Sequence, residues 1–492
     1  MCVAAVLSAF LTARAQYLPD TAAVKEAPVV LTLDQALEIA LSENVAVRVA
    51  DKEIERAGYA KKGSYASLYP QINGSGSYQR AIRKQVMYMG GGDDSEGSGG
   101  GGSMFDSVLA PIMYYIQQLY AGTGVPYVPY VSPEPEEKSS DGGIEVGRTN
   151  TYSFGLSASM PLVNAQLWES LKLSGQQVEL AVEQARESRL NTVTQVKQAF
   201  YSVLLAKEAF GVYREVYENA VDNFNRTETR YKVEKASELE YTRAKATVAA
   251  AVPNVYNAES SVILALWQLK AVMGVDLDMD IDVAGTLGDY AETMFRDLNE
   301  SEGLSLEDNS SLKQLAIQAE QLATTVRMQQ YAYLPSLALS FNYSFNAMAN
   351  NFKFSQYNWT PYSFIGLSLS IPIFSGGQRY NQIRQTRVQA DELELQRTNA
   401  ERQLQIGIRQ YLQTMDTNMK SYAAAEDAVA TARKAYDIAA RSYQVGRGTI
   451  TDLNDAQLAL TQSRLSASQA VYNFLIAKAN LEQTLGYDFI GK

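Results

Sequence analysis

Two acidic residues near the end of the chain, Asp452 and Asp455, are three positions apart, so on a helix their carboxylates share one face. Glu240 stands 212 residues before Asp452, in a segment that resembles the later one. Carboxylates gathered in this way attract cations. The alternative interpretation is a solvated acidic face in the first turn of a helix, where acids complement the helix dipole.

No pattern typical of catalysis accompanies these acids. The 492 residues include no histidine, and the only cysteine is Cys2, so histidine bases, Cys–His pairs and the commonest zinc ligand are missing. The glycine-rich segment 90–103 lacks the Lys-Ser or Lys-Thr pair of a phosphate-binding loop. The cluster Asp93–Glu96 fits no calcium-loop spacing, which favours a solvated loop. We expect no enzyme, no catalytic residue, no metal site and no cofactor.

Charge and targeting signals point to a secreted protein without a nucleic-acid partner. The formal net charge is −11, whereas nucleic-acid binders usually show a basic face. Residues 1–15 are predicted to be a signal peptide, because the apolar core Val3–Leu11 precedes the cleavage pattern Ala13-Arg14-Ala15. No Lys or Arg precedes that core, which leaves the true start codon open, and a buried N-terminal helix is the alternative.

The chain contains two copies of one unit, and such repeats restrict the architecture strongly. Three kinds of landmark occur twice in the same order: a proline that opens an alternating segment, a proline that ends the next one, and a tyrosine before a turn. They are Pro70 and Pro335, Pro161 and Pro372, and Tyr231 and Tyr443. The first repeat is predicted to span residues 16–300 and the second residues 301–492.

Each copy is predicted to contribute two strands, at about residues 69–80 and 151–162 and at about residues 334–345 and 362–374. Apolar residues alternate there with Ser, Asn and Gly, as in a barrel wall with lipid on one face and water on the other. A half-buried soluble sheet has the same alternation. The near absence of Lys and Glu and the aromatic residues at the strand ends favour the barrel. Four strands cannot close a barrel, so the chain would have to borrow strands from copies of itself, and three copies would supply twelve.

Long helical hairpins follow the strands, at about residues 164–272 and 376–485. Gly and Pro are nearly absent from their first arms, and that length without internal caps is typical of a coiled coil. Ser237 and Thr449 are predicted to cap the return helices. A surface insert at about residues 81–150 interrupts the first copy only. Pro161 and Pro372 are expected to mark the transition from strand to helix.

These landmarks together resemble the TolC family of outer-membrane efflux ducts. The resemblance rests on the duplicated prolines, the paired Tyr-x-Val-(Gly/Glu)-(Arg/Lys) turns and the run Thr449-Ile450-Thr451-Asp452-Leu453-x-Asp455-Ala456, and it extends over about residues 31–485. It implies a mainly α fold with a β-barrel portion. As a homotrimer, the duplicated unit would form a 12-stranded barrel in outer-membrane lipid, continuous with a 12-helix α-barrel across the periplasm. The helix tips would dock onto a periplasmic adaptor protein and an inner-membrane pump.

The resemblance also implies roles for the tip residues. Asp452, Asp455 and Glu240 would form a cation-attracting periplasmic gate, and Tyr443, Tyr231 and Arg447 would latch its closed state. The adaptor-docking tips would be Val233, Glu234 and Lys235 in the first copy, and Val445, Gly446 and Arg447 in the second. The chain departs from the family pattern at Glu234, where glycine is common, and at Gly448, where arginine frequently stands.

The expected function is therefore a passive exit duct of a tripartite efflux system, located in the outer membrane and spanning the periplasm. Two alternatives remain open at this point. One is the exit duct of a type I protein secretion system. The other, from a different class, is a soluble periplasmic coiled-coil scaffold.

Overall fold

A computed structural model describes residues 29–87, 144–294 and 305–487. The predicted signal peptide, Cys2, the acidic cluster Asp93–Glu96 and most of the surface insert lie outside these residues. The chain divides into a helical unit, made of residues 1–68, 163–336 and 370–492, and a sheet unit, made of residues 69–162 and 337–369.

The elements follow one another in an order that repeats. In chain order they are β1 (Val29–Leu31), α1 (Leu33–Glu43), α2 (Val45–Ala66), β2 (Gln71–Arg80), β3 (Gln85–Met87), β4 (Ile144–Val146), β5 (Asn150–Val163), α3 (Ala165–Lys232), α4 (Glu238–Met273), β6 (Ile281–Val283), α5 (Leu287–Ala291), α6 (Ser310–Tyr331), β7 (Ser336–Ala349), a 3-10 turn (Phe354–Gln356), β8 (Thr360–Ser370), α7 (Gln378–Gln444) and α8 (Ile450–Leu485). The structure is mainly α and duplicated, as expected. Within the described ranges, none of the helices combines the length and apolar character needed to cross a bilayer.

The two helical hairpins have almost the same dimensions. Helix α3 has 68 residues and α7 has 67, and each return helix, α4 or α8, has 36. At 1.5 Å per residue the long arms extend about 100 Å. Between them lies a core to which both copies contribute, with Phe200 of α3, Leu269 of α4 and Phe474 of α8 fully buried. Buried aromatic and aliphatic side chains from both copies therefore hold the two hairpins in one unit.

The junction behind each return helix uses the same kind of contact in the two copies, an asparagine cap that also bonds to the return helix. Asn44 caps α2, and its Nδ2 donates to the Val272 carbonyl at 2.6 Å; Asn309 caps α6, and its Nδ2 donates to the Thr484 carbonyl at 2.7 Å. The return helices end at left-handed glycines, Gly274 with φ 77° and Gly486 with φ 75°. A Cβ at either glycine would collide with a backbone carbonyl oxygen, so only glycine fits there.

The sheet unit has the strand order β2-β5-β7-β8. Strands β2 and β5 are antiparallel, with Gln71 opposite Ser159 and Arg80 opposite Asn150. This register places Tyr78, Tyr152 and other apolar residues on one face and serines on the other. A separate ribbon pairs β3 with β4, so both ends of the predicted insert form strands next to the sheet.

The strands end near the two prolines, with differences in detail from the expected bounds. Strand β5 includes Pro161 and ends at Val163, one residue past the expected end near residue 162. Proline lacks an N–H, and Pro161 lies beyond Ser159, the last residue paired with β2, so no donor is needed on that side. Strand β8 ends at Ser370, before Pro372, rather than near residue 374. Strand β7 runs to Ala349, past the expected end near residue 345.

Candidate functional site: the helix-turn tips

The first tip, between α3 and α4, is closed by two backbone hydrogen bonds. The Lys235 N–H donates to the Arg230 carbonyl at 2.8 Å, and the Glu234 N–H donates to the Tyr231 carbonyl at 2.9 Å. Glu234 itself adopts φ 55°, the left-handed conformation that this helix ending requires. An L-residue pays about 1–2 kcal/mol for that conformation.

The second tip, between α7 and α8, has the same hydrogen bonds. The Arg447 N–H donates to the Ser442 carbonyl at 2.8 Å, and the Gly446 N–H donates to the Tyr443 carbonyl at 3.1 Å. Gly446 has φ 74° and occupies the position of Glu234. The departure from glycine at Glu234 therefore leaves the turn shape unchanged. At Gly448, a Cβ would come within 3.1 Å of the Ser442 Cβ, so the turn has little room for a larger residue there.

Two of the three predicted gate acids take part in capping boxes. The Asp452 N–H donates to Thr449 Oγ1 at 3.1 Å, while Asp452 Oδ2 accepts from the Thr449 hydroxyl at 2.7 Å and from its N–H at 3.0 Å. Glu240 and Ser237 form the matching box on α4. The hydrogen bonds from the Thr449 side chain and then its backbone lower the pKa of Asp452. Asp455 is exposed one turn further along α8.

Tyr443 is buried between the two hairpins. Its side chain is only 4% exposed, and its hydroxyl lies 2.8 Å from Thr227 Oγ1 of α3. Because the Thr227 hydroxyl already donates to the Asn223 carbonyl, Tyr443 is the donor in this bond. The Arg230 guanidinium lies 5.9 Å from the centre of the Tyr443 ring, within cation–π range.

A small apolar cluster surrounds Tyr443. Ala244 of α4 and Ile450 and Leu453 of α8 are buried with it, so helices from both hairpins meet at this point. The burial makes Tyr443 a fixed contact between the copies rather than a surface residue.

Tyr231 and Arg447, the other predicted latch residues, occupy different surroundings. Tyr231 is 39% exposed and stacks on Tyr241 of its own hairpin, with ring centres 4.9 Å apart. Arg447 is exposed. Within one chain, the structure brings Tyr443 into a contact between the hairpins and leaves Tyr231 inside the first hairpin. The latch and gate roles themselves remain predictions.

Two further hydrogen bonds join the return helices, and sequence reasoning missed both. Arg243 Nη1 of α4 donates to Thr451 Oγ1 of α8 at 3.3 Å, and Asn454 Nδ2 of α8 donates to Thr247 Oγ1 of α4 at 3.1 Å. The repeat offset aligns Arg243 with Asp455, 212 residues later, but does not indicate that Arg243 bonds to Thr451. The first copy therefore carries a cation where the second carries an acid.

Below, "tip contacts" means three bonds: Tyr443–Thr227, Arg243–Thr451 and Asn454–Thr247. They hold the two hairpins of one chain together near their turns. A movement that separates the hairpins must break them. The Tyr443–Thr227 bond is buried, the Asn454–Thr247 bond is partly buried, and the Arg243–Thr451 bond is exposed.

The chain contains two copies of a unit made of two strands and a long helical hairpin, and each hairpin ends in a similar turn. This architecture is typical of outer-membrane channel proteins. The family model described as "Outer membrane efflux protein" matches residues 131–275 and 303–487, more than half of the chain. The chain belongs to this family, and it is an outer-membrane protein.

Curated relatives are similar over most of their length. The outer membrane protein TolC of Escherichia coli is 22% identical over 349 residues, which cover 69% of this chain and 70% of TolC. The alkaline protease secretion protein AprF of Pseudomonas aeruginosa is 22% identical over 339 residues, which cover 68% of this chain and 69% of AprF. These relatives indicate an exit duct for efflux or secretion, and a duct fits the expectation that the chain is not an enzyme.

Solved structures share the fold. The CmeC outer membrane channel of Campylobacter jejuni aligns with a TM-score of 0.63 at 18% identity, over 92% of this chain and 85% of CmeC. The open state of the MtrE outer membrane channel of Neisseria gonorrhoeae aligns with a TM-score of 0.65 at 16% identity, over 92% of this chain and 88% of MtrE. The family and these channels favour a membrane duct over the soluble scaffold.

Proposed function

We propose that the chain forms a homotrimeric, passive exit duct of a tripartite efflux system, gated at its helix-turn tips. The tip contacts carry this proposal, because they join two hairpins through a few polar bonds at the predicted entrance. Three copies of the four-stranded sheet supply the twelve strands of a closed barrel in outer-membrane lipid. Three copies of the paired hairpins supply the twelve helices of a periplasmic tube.

The gate closes the tube through charges and hydrogen bonds. Asp452 and Asp455 of three chains form acidic rings that attract cations at the entrance. Arg243 occupies in the first copy the position that Asp455 occupies in the second. Positive charges from Arg243 therefore alternate with the acidic residues around the entrance. Adaptor contacts that favour separated hairpins shift the population towards the open state.

The adaptor docks on the turns themselves. Val233 is 58% exposed and Val445 is 70% exposed, so each tip presents an apolar residue to solvent. Lys235 and Arg447 flank these valines with positive charge, and Glu234 is exposed beside Lys235. A recess between α3 and α7, lined in part by Arg226 and Gln444, lies next to Tyr443. An adaptor helix with apolar and acidic residues on one face would complement this surface.

Neutralising the acidic rings tests the gate. Asp452→Asn with Asp455→Asn keeps a cap acceptor at residue 452 and removes both charges. In planar bilayers, we expect this variant to need about tenfold more divalent cation than the wild-type trimer for half-block of single-channel conductance. Glu259→Gln with Asp278→Asn removes two exposed charges away from the tips and serves as the matched control. Equal block in wild type and the tip variant would refute the acidic gate.

A type I protein secretion duct is the second candidate, and the similarity to AprF favours it specifically. Deletion of the gene in the native host distinguishes the two systems. For an efflux duct, we expect greater susceptibility to small toxic compounds with unchanged secreted protein. For a secretion duct, a protein disappears from the culture supernatant while susceptibility stays the same. Re-expression of the wild-type chain must reverse either effect.

A further inference from the structure

Charge is segregated within the sheet unit. The whole chain has a formal charge of −11, yet the described residues of this unit contain a single acidic residue, Glu145. The basic residues there are Arg80, Arg83, Lys84, Arg148 and Lys353. The described residues of the sheet unit therefore carry a net positive charge, within a protein that is acidic as a whole.

The basic residues gather at one end of the strands. Arg80 is the last residue of β2 and faces Asn150, the first residue of β5. The Ala81 N–H donates to the Thr149 carbonyl at 2.8 Å, and Arg148 Nη1 donates to the Met348 carbonyl at the end of β7 at 3.1 Å. The opposite strand ends lead directly along the chain into α2, α3, α6 and α7. The cations thus occupy the end where the strands are joined by hairpin connections.

Aromatic side chains lie immediately next to these cations. Tyr152 contacts Tyr78, Phe354 and Tyr357, with ring centres 4.9, 5.2 and 5.4 Å away. The Arg80 guanidinium lies 5.9 Å from the centre of the Phe352 ring. Clustered tyrosine, tryptophan and phenylalanine at strand ends mark the level of lipid headgroups in membrane barrels. Cations beside such a belt lie at the depth of lipid phosphates.

We propose that four exposed cations, Arg80, Arg83, Arg148 and Lys353, form a basic collar that binds phosphate groups of anionic lipids in the outer leaflet. In the proposed duct the collar belongs to the outer leaflet, because the chain continues from the other strand ends into the helices assigned to the periplasm. Guanidinium groups bind phosphate oxygens in pairs, and aromatic rings beside them pack on the acyl boundary. The inference rests on the proposed insertion of the sheet into the outer membrane.

Lipid binding to the full-length protein in neutral detergent tests the collar. The probe is lipid A with two phosphates, counted per protein assembly by native mass spectrometry, and the same lipid without phosphates is the control. We expect the wild type to bind the phosphorylated lipid about tenfold or more tightly than the dephosphorylated one, and 500 mM salt to remove that preference. Arg80→Gln with Arg148→Gln and Lys353→Gln should abolish it.

A matched variant keeps the test specific. Arg402→Gln, Arg409→Gln and Lys434→Gln remove the same number of exposed cations from α7 and should leave lipid preference unchanged. The Arg148 side chain bonds to Met348, so the triple collar variant disturbs the sheet if that bond matters. Arg83→Gln with Lys353→Gln avoids this contact and should still reduce the preference several-fold.

Three results would overturn the collar. They are equal binding of both lipids by the wild type, an unaltered preference in both collar variants, or a preference that emerges only after deletion of residues 88–143, whose sequence is acidic. The last result would show that the chain's own segment occupies the collar. Insertion is tested separately: a wild type that enters vesicles and conducts ions without phosphate preference refutes the collar alone, whereas failure to insert refutes the proposed duct.

Discussion

The two copies of the repeat close their tip turns with the same backbone hydrogen bonds and differ in the side chains around those turns. Behind the return helices, Asn44 and Asn309 make the same bonds. At the tips the turns also superimpose in hydrogen bonding, yet Tyr443 is buried where Tyr231 is exposed. The backbone closure of the turns is thus common to both copies, whereas only the second copy's tyrosine contacts the other hairpin.

Substitution of the two junction glycines, Gly274 and Gly486, should give the largest loss of stability and tests whether the two junctions are equivalent. Gly486→Ala places a Cβ against the Asp308 carbonyl oxygen, and Gly274→Ala places one 2.7 Å from the Glu43 carbonyl oxygen. Both backbones are left-handed, so we expect each variant to lose about 1–3 kcal/mol of stability, the larger loss at Gly486. Thermal unfolding followed by helical circular dichroism measures the loss.

Gly58→Ala is the control for these variants, because a Cβ there meets open space on a helix. It should raise the midpoint slightly, since alanine favours the helix. A stable Gly486→Ala protein would mean that the two junctions are not constrained as the structure indicates.

Substitutions in the two tip turns should change stability by an intermediate amount. Glu234→Gly removes a left-handed L-residue and should stabilise the first tip by about 1 kcal/mol, while Gly446→Ala should destabilise the second by a similar amount. Limited proteolysis within the turns reports both changes. Identical cleavage rates in wild type and both variants would contradict the shared turn geometry.

The smallest expected effect is that of pH on the stability of the α8 N-terminal cap. The pKa of Asp452 is lowered, so its cap contribution is complete above the ordinary carboxyl pKa of about 4 and is lost only as pH falls through the lower folded value. Hydrogen exchange of the first α8 turn, corrected for intrinsic rates, should show constant protection from pH 7 to 5. Protection that falls between pH 6 and 5 would contradict this prediction. In Asp452→Asn, the loss of protection expected at still lower pH should disappear.

Local signals in the sequence predicted much of the fold. Ser237 and Thr449 were expected as caps, and both form capping boxes. The alternation predicted the strands because side-chain period is a local property. The predicted strand end near residue 374 was wrong, because β8 already ends at Ser370, before Pro372.

The tip contacts could not be predicted in the same way. Arg243 and Thr451 are 208 residues apart, and Tyr443 and Thr227 are 216 residues apart. Their pairing depends on how two hairpins pack, and no short-range pattern reports that packing. The tyrosine motif identified Tyr231 and Tyr443 as equivalent, whereas burial distinguishes them.

The central claim is that the tip contacts hold the entrance closed. Single-channel conductance in planar bilayers tests it directly, with Tyr443→Phe, Arg243→Gln and Asn454→Ala combined, and with Tyr256→Phe, an exposed tyrosine of α4, as the control. Each lost bond weakens closure by about 0.5–1.5 kcal/mol, so the three losses together favour the open state about tenfold or more. We expect the triple variant to conduct more than wild type and the control to match wild type. Wild-type conductance in the triple variant, or equal opening by Tyr256→Phe, would contradict the account.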